Sequence, residues 1–257
     1  MTVQSFIRNF ALRNRQGYLL NPLYQNKNMN NKRQSVSMLF MLFGILFCVC
    51  LIASNVFATK QIAMGEFSVT GGLLVFPISY IINDCVCEVW GYRKVRLLIW
   101  IGFAMNFFFT LVGALCDWIP GAPYWTNDQG FHAIFGLAPR VAAASFAAFI
   151  VGSFANAYVM SRMKISSNGH RFSLRAILST VAGESADSLI FFPLAFWGVI
   201  PLSEIPVLML MQVVLKTAYE IVVLPLTIRV VRWVKAYEGE DVYDEGVDYN
   251  VLKIFNF

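Results

Sequence analysis

Four stretches of this chain, 34–59, 67–83, 97–116 and 141–161, hold no charged residue, and two more, 176–203 and 205–228, are apolar with few interruptions. An α-helix needs about 20 mostly apolar residues to cross a bilayer, so these run lengths predict six transmembrane helices. We place them at 37–58, 69–88, 95–116, 138–161, 174–200 and 206–230. The expected fold is an all-α integral membrane protein, a bundle of six transmembrane helices. A chain of 257 residues that is 58% hydrophobic and 14% charged is too apolar for an ordinary soluble domain. The first run is too long for the apolar core of a signal peptide and follows 33 hydrophilic residues, so it is expected to stay in the mature protein.

Charges between the runs alternate. The segment before the first span carries Arg8, Arg13, Arg15, Lys27, Lys32 and Arg33 and no acid, and the next connection has Lys60 and Glu66. Arg93, Lys94 and Arg96 follow on one side, then Asp117, Asp128 and Arg140 on the other. Arg162, Lys164, Arg171 and Arg175 come next, then Glu204, then Arg229, Arg232 and Lys235. The positive-inside rule puts every basic segment in the cytoplasm if there are six spans with both termini inside. Five or seven spans would break the alternation. The net charge of +5 is therefore assigned to membrane orientation, and no nucleic-acid partner is expected.

This divides the chain into a basic cytoplasmic tail (1–36), a membrane domain (37–230) and an acidic cytoplasmic tail (231–257). Both tails are expected to be solvated and dispensable for the core, and Met29 is an alternative start. The five cysteines, Cys48, Cys50, Cys85, Cys87 and Cys116, lie in or beside spans. Within each C-x-C pair the side chains point about 200° apart on a helix, so neither pair suggests a metal site or a disulfide.

Polar residues inside the runs carry the functional signal. A charge at the centre of a span costs about 2.5–3.5 kcal/mol on insertion scales, so such groups face a cavity, a partner or a substrate. Glu184, Asp187, Ser188 and Phe191 fall at i, i+3, i+4 and i+7 and share one face of the fifth helix. Gln212, Lys216 and Glu220 share one face of the sixth at i, i+4 spacing.

Counted from the helix ends, Asp187 and Lys216 both lie near mid-membrane. They are expected to pair, with Glu184 and Glu220 one turn nearer the cytoplasm around the same lysine. Three acids to one base leave surplus charge for a proton, an ion or a ligand. Asn55, Asn83, Asp84, Asn106 and Asn156 also interrupt apolar surroundings. Asp84 and Glu88 lie at i, i+4 before Arg93, Lys94 and Arg96, as a charged helix end would, and Arg140 opens the fourth helix as an interfacial arginine or an entry guide.

Ala143–Ala147 and Ala144–Ala148 allow close helix packing. Pro77, Pro193 and Pro225 mark kinks or breaks within spans. No nucleotide loop, zinc helix or nucleophile elbow is present, and His132 and His170 both lie in loops. No catalytic residue, cofactor or metal is expected.

The segments "FPISYIINDCVCEVWGYRKVRLLIW", "RVAAASFAAFIVGSFANAY", "STVAGESADSLIFFPLAFWG" and "LKTAYEIVVLPL", with "SN" in the first span, resemble the queuosine precursor transporters, the vitamin uptake transporter family of bacteria. The resemblance covers about 40–230. It implies a six-helix importer of the bacterial inner membrane that takes up 7-cyano- or 7-aminomethyl-7-deazaguanine for salvage into tRNA queuosine, as a secondary transporter in a lipid bilayer with a possible coupling proton.

The family's polar motif positions match Asn55, Asp84, Arg140, Asp187 and Lys216. Where the family often has an acid this chain has Asn156. A deazaguanine offers ring N–H and amine donors on one edge, suited to Asp187 or Glu184, and a carbonyl suited to Lys216, Asn55 or Asn156. Phe191 or Trp197 is placed to stack on the ring or to pack as an apolar side chain.

The substrate-binding set read from the sequence is thus Asn55, Asp84, Arg140, Asn156, Glu184, Asp187, Phe191, Lys216 and Glu220. Two other readings stay open: a substrate-binding subunit that depends on a separate energy-coupling ATPase, and a non-transporting membrane scaffold.

Overall fold

The computed structural model describes residues 36–64, 67–136, 139–198, 201–203 and 205–253. The basic segment before the first span and Met29 lie outside them. Six α-helices appear among the described residues: α1 (Met38–Ala58), α2 (Phe76–Trp118), α3 (Asp128–Phe135), α4 (Pro139–Ser166), α5 (Phe172–Phe196) and α6 (Ile205–Glu238). Five stretches are long and apolar enough to cross a membrane: Met38–Ala58, Gly71–Trp118, Val141–Ser166, Phe172–Phe196 and Ile205–Glu238.

The second of these is two segments. Helix α2 has 43 residues, about 65 Å if straight, roughly twice a bilayer's hydrocarbon core. Gly91 interrupts it with φ 80° and ψ 175°. Contacts with α1 show that the chain turns back there. A Cβ on Gly72 would meet Ser54 and Ala58, while Trp90 packs on Phe40 and Phe43, so the first half runs against α1. Leu98 then lies against Gly44, and Asn106 hydrogen-bonds Asn55, so the second half runs alongside α1 in the same direction. Six apolar helical segments result, close to the six intervals read from charge-free runs.

The largest boundary differences are two. The second segment starts at Phe76 rather than 69, because two short strands, β1 (Gln61–Met64) and β2 (Phe67–Thr70), pair antiparallel before it, in register Gln61↔Thr70. This strand pair is the exception to an all-α fold. Pro77 consequently sits in the first turn of α2, where its missing N–H removes no helical bond, and it is no break. Helix α6 continues to Glu238 because Val231 and Val234 are still buried.

The closest packing joins α4 to α5. A Cβ on Gly152 would lie 2.9 Å from Asp187 Cβ and from the Gly183 carbonyl, and one on Gly183 would lie 2.8 Å from Asn156 Cβ. Ala144 and Ala148 are also buried, yet the backbones come nearest at this glycine pair.

The acidic C-terminal segment, expected to be solvated, is docked instead. Asp244 is buried and accepts the Tyr92 N–H on both carboxylate oxygens (3.0 and 2.9 Å) and the Ser161 hydroxyl at 2.5 Å. Tyr92 N–H is one of the donors left over where a helix restarts after Gly91, so a carboxylate belongs there. Val242 N–H donates to Val89 O, Arg96 to the carbonyls of Asp248 and Asn250, and Trp100 to that of Val251. The net acidity of 239–253 concealed this, because the basic helix ends supply the partners.

Burial works against ionising Asp241, but hydrogen bonds from Lys164 and Lys235 outweigh it and hold its carboxyl below the usual range. A lowered folded pKa means its contribution is present at neutral pH and is lost as pH falls through that lowered value. Asp244→Ala should destabilise the protein by about 1.5–3 kcal/mol, the usual loss for a hydrogen bond to a charged group. The thermal midpoint in detergent checks this, and an unchanged midpoint would mean that the docked segment adds nothing to the fold.

Candidate functional site

Two layers of buried polar groups lie in the bundle. The first surrounds Lys216. Its Nζ is 2.6 Å from Glu184 Oε2, 3.9 Å from Asp187 Oδ2 and 4.0 Å above the Phe76 ring centroid. Helix α5 supplies both acids from one face, three residues apart, and α6 supplies the lysine. The order expected from depth is reversed, with Glu184 the tight partner. Asp187 stands against α4, where Gly152 admits its Cβ, and is left turned toward open space.

That space is a cavity of about 400 Å³ lined by Asn55, Asn106, Phe191, Gln212, Asp187 and Lys216 among others. Asn55 donates to Asn106 at 2.8 Å, so the amide pair presents a donor and an acceptor beside the acid and the base. Pockets for small molecules typically span about 300–1,000 Å³ with a few polar groups on apolar walls, and this one fits that description. A larger hollow of about 710 Å³ among 116–132 is walled by the connection that follows α2 and contains none of the buried charges near Lys216. The cavity near Lys216 is thus the candidate site.

Among the nine residues read from the sequence, Asn55, Asp187, Phe191 and Lys216 line the cavity, and Glu184 supports it through Lys216. Asp84, Asn156 and Glu220 do not line it. They form the second layer, between the cavity and the basic end of the bundle, where Asp84 and Glu220 face each other and Asn83 donates to Asn156 Oδ1 at 2.8 Å. Glu220 shares a helix face with Lys216 but turns to α2 instead. Arg140 begins α4, and its side chain lies outside what the structure describes. Trp197 is exposed beside Pro193 and Ala147, away from the cavity, so Phe191 is the aromatic available to a ligand.

Sequence reasoning missed Phe76, whose ring under the ammonium has no sequence signature. It also misassigned Glu88. Instead of being held by the bases just after it, Glu88 takes both terminal nitrogens of Arg175 from α5, one of them at 3.0 Å, and Lys235 from α6 at 2.7 Å. Lys235 and Lys164 both reach Asp241 in turn. This buried network joins α2, α4, α5, α6 and the C-terminal segment at the basic end. Among the described residues, no group of His, Cys, Asp and Glu has the arrangement of a metal site.

Comparison with known proteins gives a consistent result. A family model described as "Putative vitamin uptake transporter" matches residues 70–230, more than half of the chain. The queuosine precursor transporter of Escherichia coli (strain K12) is 28% identical over 173 residues, covering 66% of this chain and 74% of that protein. The "Probable queuosine precursor transporter" of Bacillus subtilis (strain 168) is 27% identical over 153 residues, 58% and 66% of the two chains. A Haemophilus influenzae relative with the same printed description is 26% identical over 183 residues. No solved structure matches this chain.

Proposed function

The chain belongs to the vitamin uptake transporter family, and from that premise we propose that it imports 7-deazaguanine precursors of queuosine across the bacterial inner membrane as a secondary transporter. The observation that carries the reading is the surplus carboxylate. Lys216 is taken up by Glu184, which leaves Asp187 at the cavity wall with a second acid beside it and only a distant share of the lysine. A flat base with two donors on one edge supplies what Asp187 lacks, as a bidentate pair. Its carbonyl falls to Lys216 or to the Asn55–Asn106 amides, and Phe191 offers a ring face.

Orientation follows from the charge pattern. Six crossings with both termini inside put Arg93, Arg162, Lys164, Arg175 and Lys235 in the cytoplasm. The cavity then lies on the outer side of Lys216, since Ala58, Gly72 and Leu208 line it, and the Glu88–Arg175–Lys235 network closes the cytoplasmic side. In this reading the structure is a form open toward the outside.

The test is tRNA queuosine content in a bacterial host lacking both deazaguanine synthesis and its own importer, fed a low concentration of either base. Expression of this protein should restore queuosine. Asp187→Asn, which sets an amide N–H₂ against the donor edge, should raise the base concentration required by about tenfold or more, the loss of one charge-assisted bond. No restoration, with protein verified in the membrane, points to another substrate or to a missing energy-coupling complex.

A further inference from the structure

We propose that Asp84 and Glu220 form a proton-carrying pair that couples movement of the base to the proton gradient. This rests on the importer reading and adds the driving ion to it.

Asp84 on the first half of α2 is wholly buried, and Glu220 on α6 is 2% exposed. Their carboxyls face each other with Asn156, Ser179 and Thr180 around them. Ser179 lies within 3.4 Å of Asp84 Oδ1 but is closer to the Ala176 carbonyl, at 2.8 Å. Glu220 Oε2, Thr180 Oγ1, Asn83 Oδ1 and Asn156 Nδ2 are all buried without a hydrogen-bond partner. With Thr180 beside Glu220 and Asn156 beside Asp84 but no well-formed bond to Glu220 Oε2, a buried carboxyl that faces a second carboxyl is a place for a proton.

Among the described residues, the charges around the pair leave it no other counter-ion. From α2 come Tyr80, Cys85 and Glu88, none of them a cation, and Glu88 is held by Arg175 and Lys235. From α5 come Glu184 and Asp187, whose cation is Lys216. From α6 comes Lys216 itself, 2.6 Å from Glu184, and α4 contributes Asn156, its Lys164 being bound to Asp241. Two adjacent carboxylates in a site of low dielectric cannot both stay ionised, so one holds a proton.

Geometry links the pair to the cavity. Glu220 is one helical turn from Lys216, so a shift of α6 that changes the grip on the base also changes the distance between Glu220 and Asp84. Tyr80, with its hydroxyl buried and unpartnered, feels the charge of Asp84, Glu184 and Asp187 and so lies near both layers.

The test uses the full-length protein in proteoliposomes with labelled 7-cyano-7-deazaguanine. One arm imposes an inside-alkaline pH gradient at equal sodium, and the other an inward sodium gradient at equal pH. One pH unit should drive accumulation toward about tenfold at one proton per base, collapsing with a protonophore. Asp84→Asn and Glu220→Gln should still exchange internal for external base, while accumulation falls to the equilibrium level.

Accumulation driven by sodium alone, none driven by the pH gradient, or full accumulation by both variants overturns the proposal. So does loss of exchange in both folded variants, which would make the two acids binding groups. Because the gradient arms use the unaltered protein, the outcome does not depend on the variants folding. Absence of exchange in the unaltered protein overturns the importer reading instead, and the coupling with it.

Discussion

Gly91→Val is expected to leave little folded protein in the membrane. Residue 91 holds φ 80° and ψ 175°, a region essentially closed to residues with a Cβ and costing about 1–3 kcal/mol to enter. The Cβ itself would lie 2.7 Å from Asp244 Oδ1 and 2.9 Å from Val242 Cγ1. The substitution therefore strains the turn between two antiparallel helices and expels the carboxylate that caps the second. Gly239→Ala is the control: φ is +67° there, but a Cβ would meet nothing within 4 Å. Size-exclusion profiles of both variants separate the effects. If Gly91→Val ran like the control, the reversal of α2 would not depend on this glycine.

The same residue shows where the sequence stops being informative. Runs of uncharged residues locate all six apolar segments, because crossing a bilayer constrains composition over about 20 positions at once. They bracket the turn between 88 and 95 but do not fix the residue at which the chain reverses. Residues 76–118 form one nearly continuous helix, and the backbone angles at Gly91, with the contacts of the two halves along α1, mark the reversal.

Helical spacing likewise identifies faces but not partners. Glu184 and Asp187 share a face with three-residue spacing, and Gln212, Lys216 and Glu220 share another, so the meeting of α5 and α6 at Lys216 was legible. That Glu220 leaves this group for Asp84 was not, since it depends on how α2 lies between them. Glu88 makes the point over a longer range. Its partners are 87 and 147 residues away, whereas the bases that follow it in the chain turn elsewhere, Arg96 to the C-terminal carbonyls. The docked C-terminal segment was hidden for a related reason: an acidic stretch reads as solvated until the basic surface that receives it is known.

Lys216→Met is expected to reduce both stability and uptake, and a second substitution separates the two losses. Removing one partner of a buried ion pair costs about 3–5 kcal/mol, because the remaining charge stays buried without compensation. Glu184, 2.6 Å away and almost wholly buried, is that remaining charge. Lys216→Met with Glu184→Gln replaces the pair by an apolar and a neutral group, and should recover most of the thermal midpoint in detergent. Uptake should not recover. The cavity would still lack its only lining cation among the described residues, and with it a charge-assisted bond to the base carbonyl of about 1.5–3 kcal/mol, or about ten- to a hundredfold in affinity. If the lysine only fastened α5 to α6, the double variant would regain transport along with stability. Measuring both on one preparation decides whether Lys216 holds the bundle together or also holds the cargo.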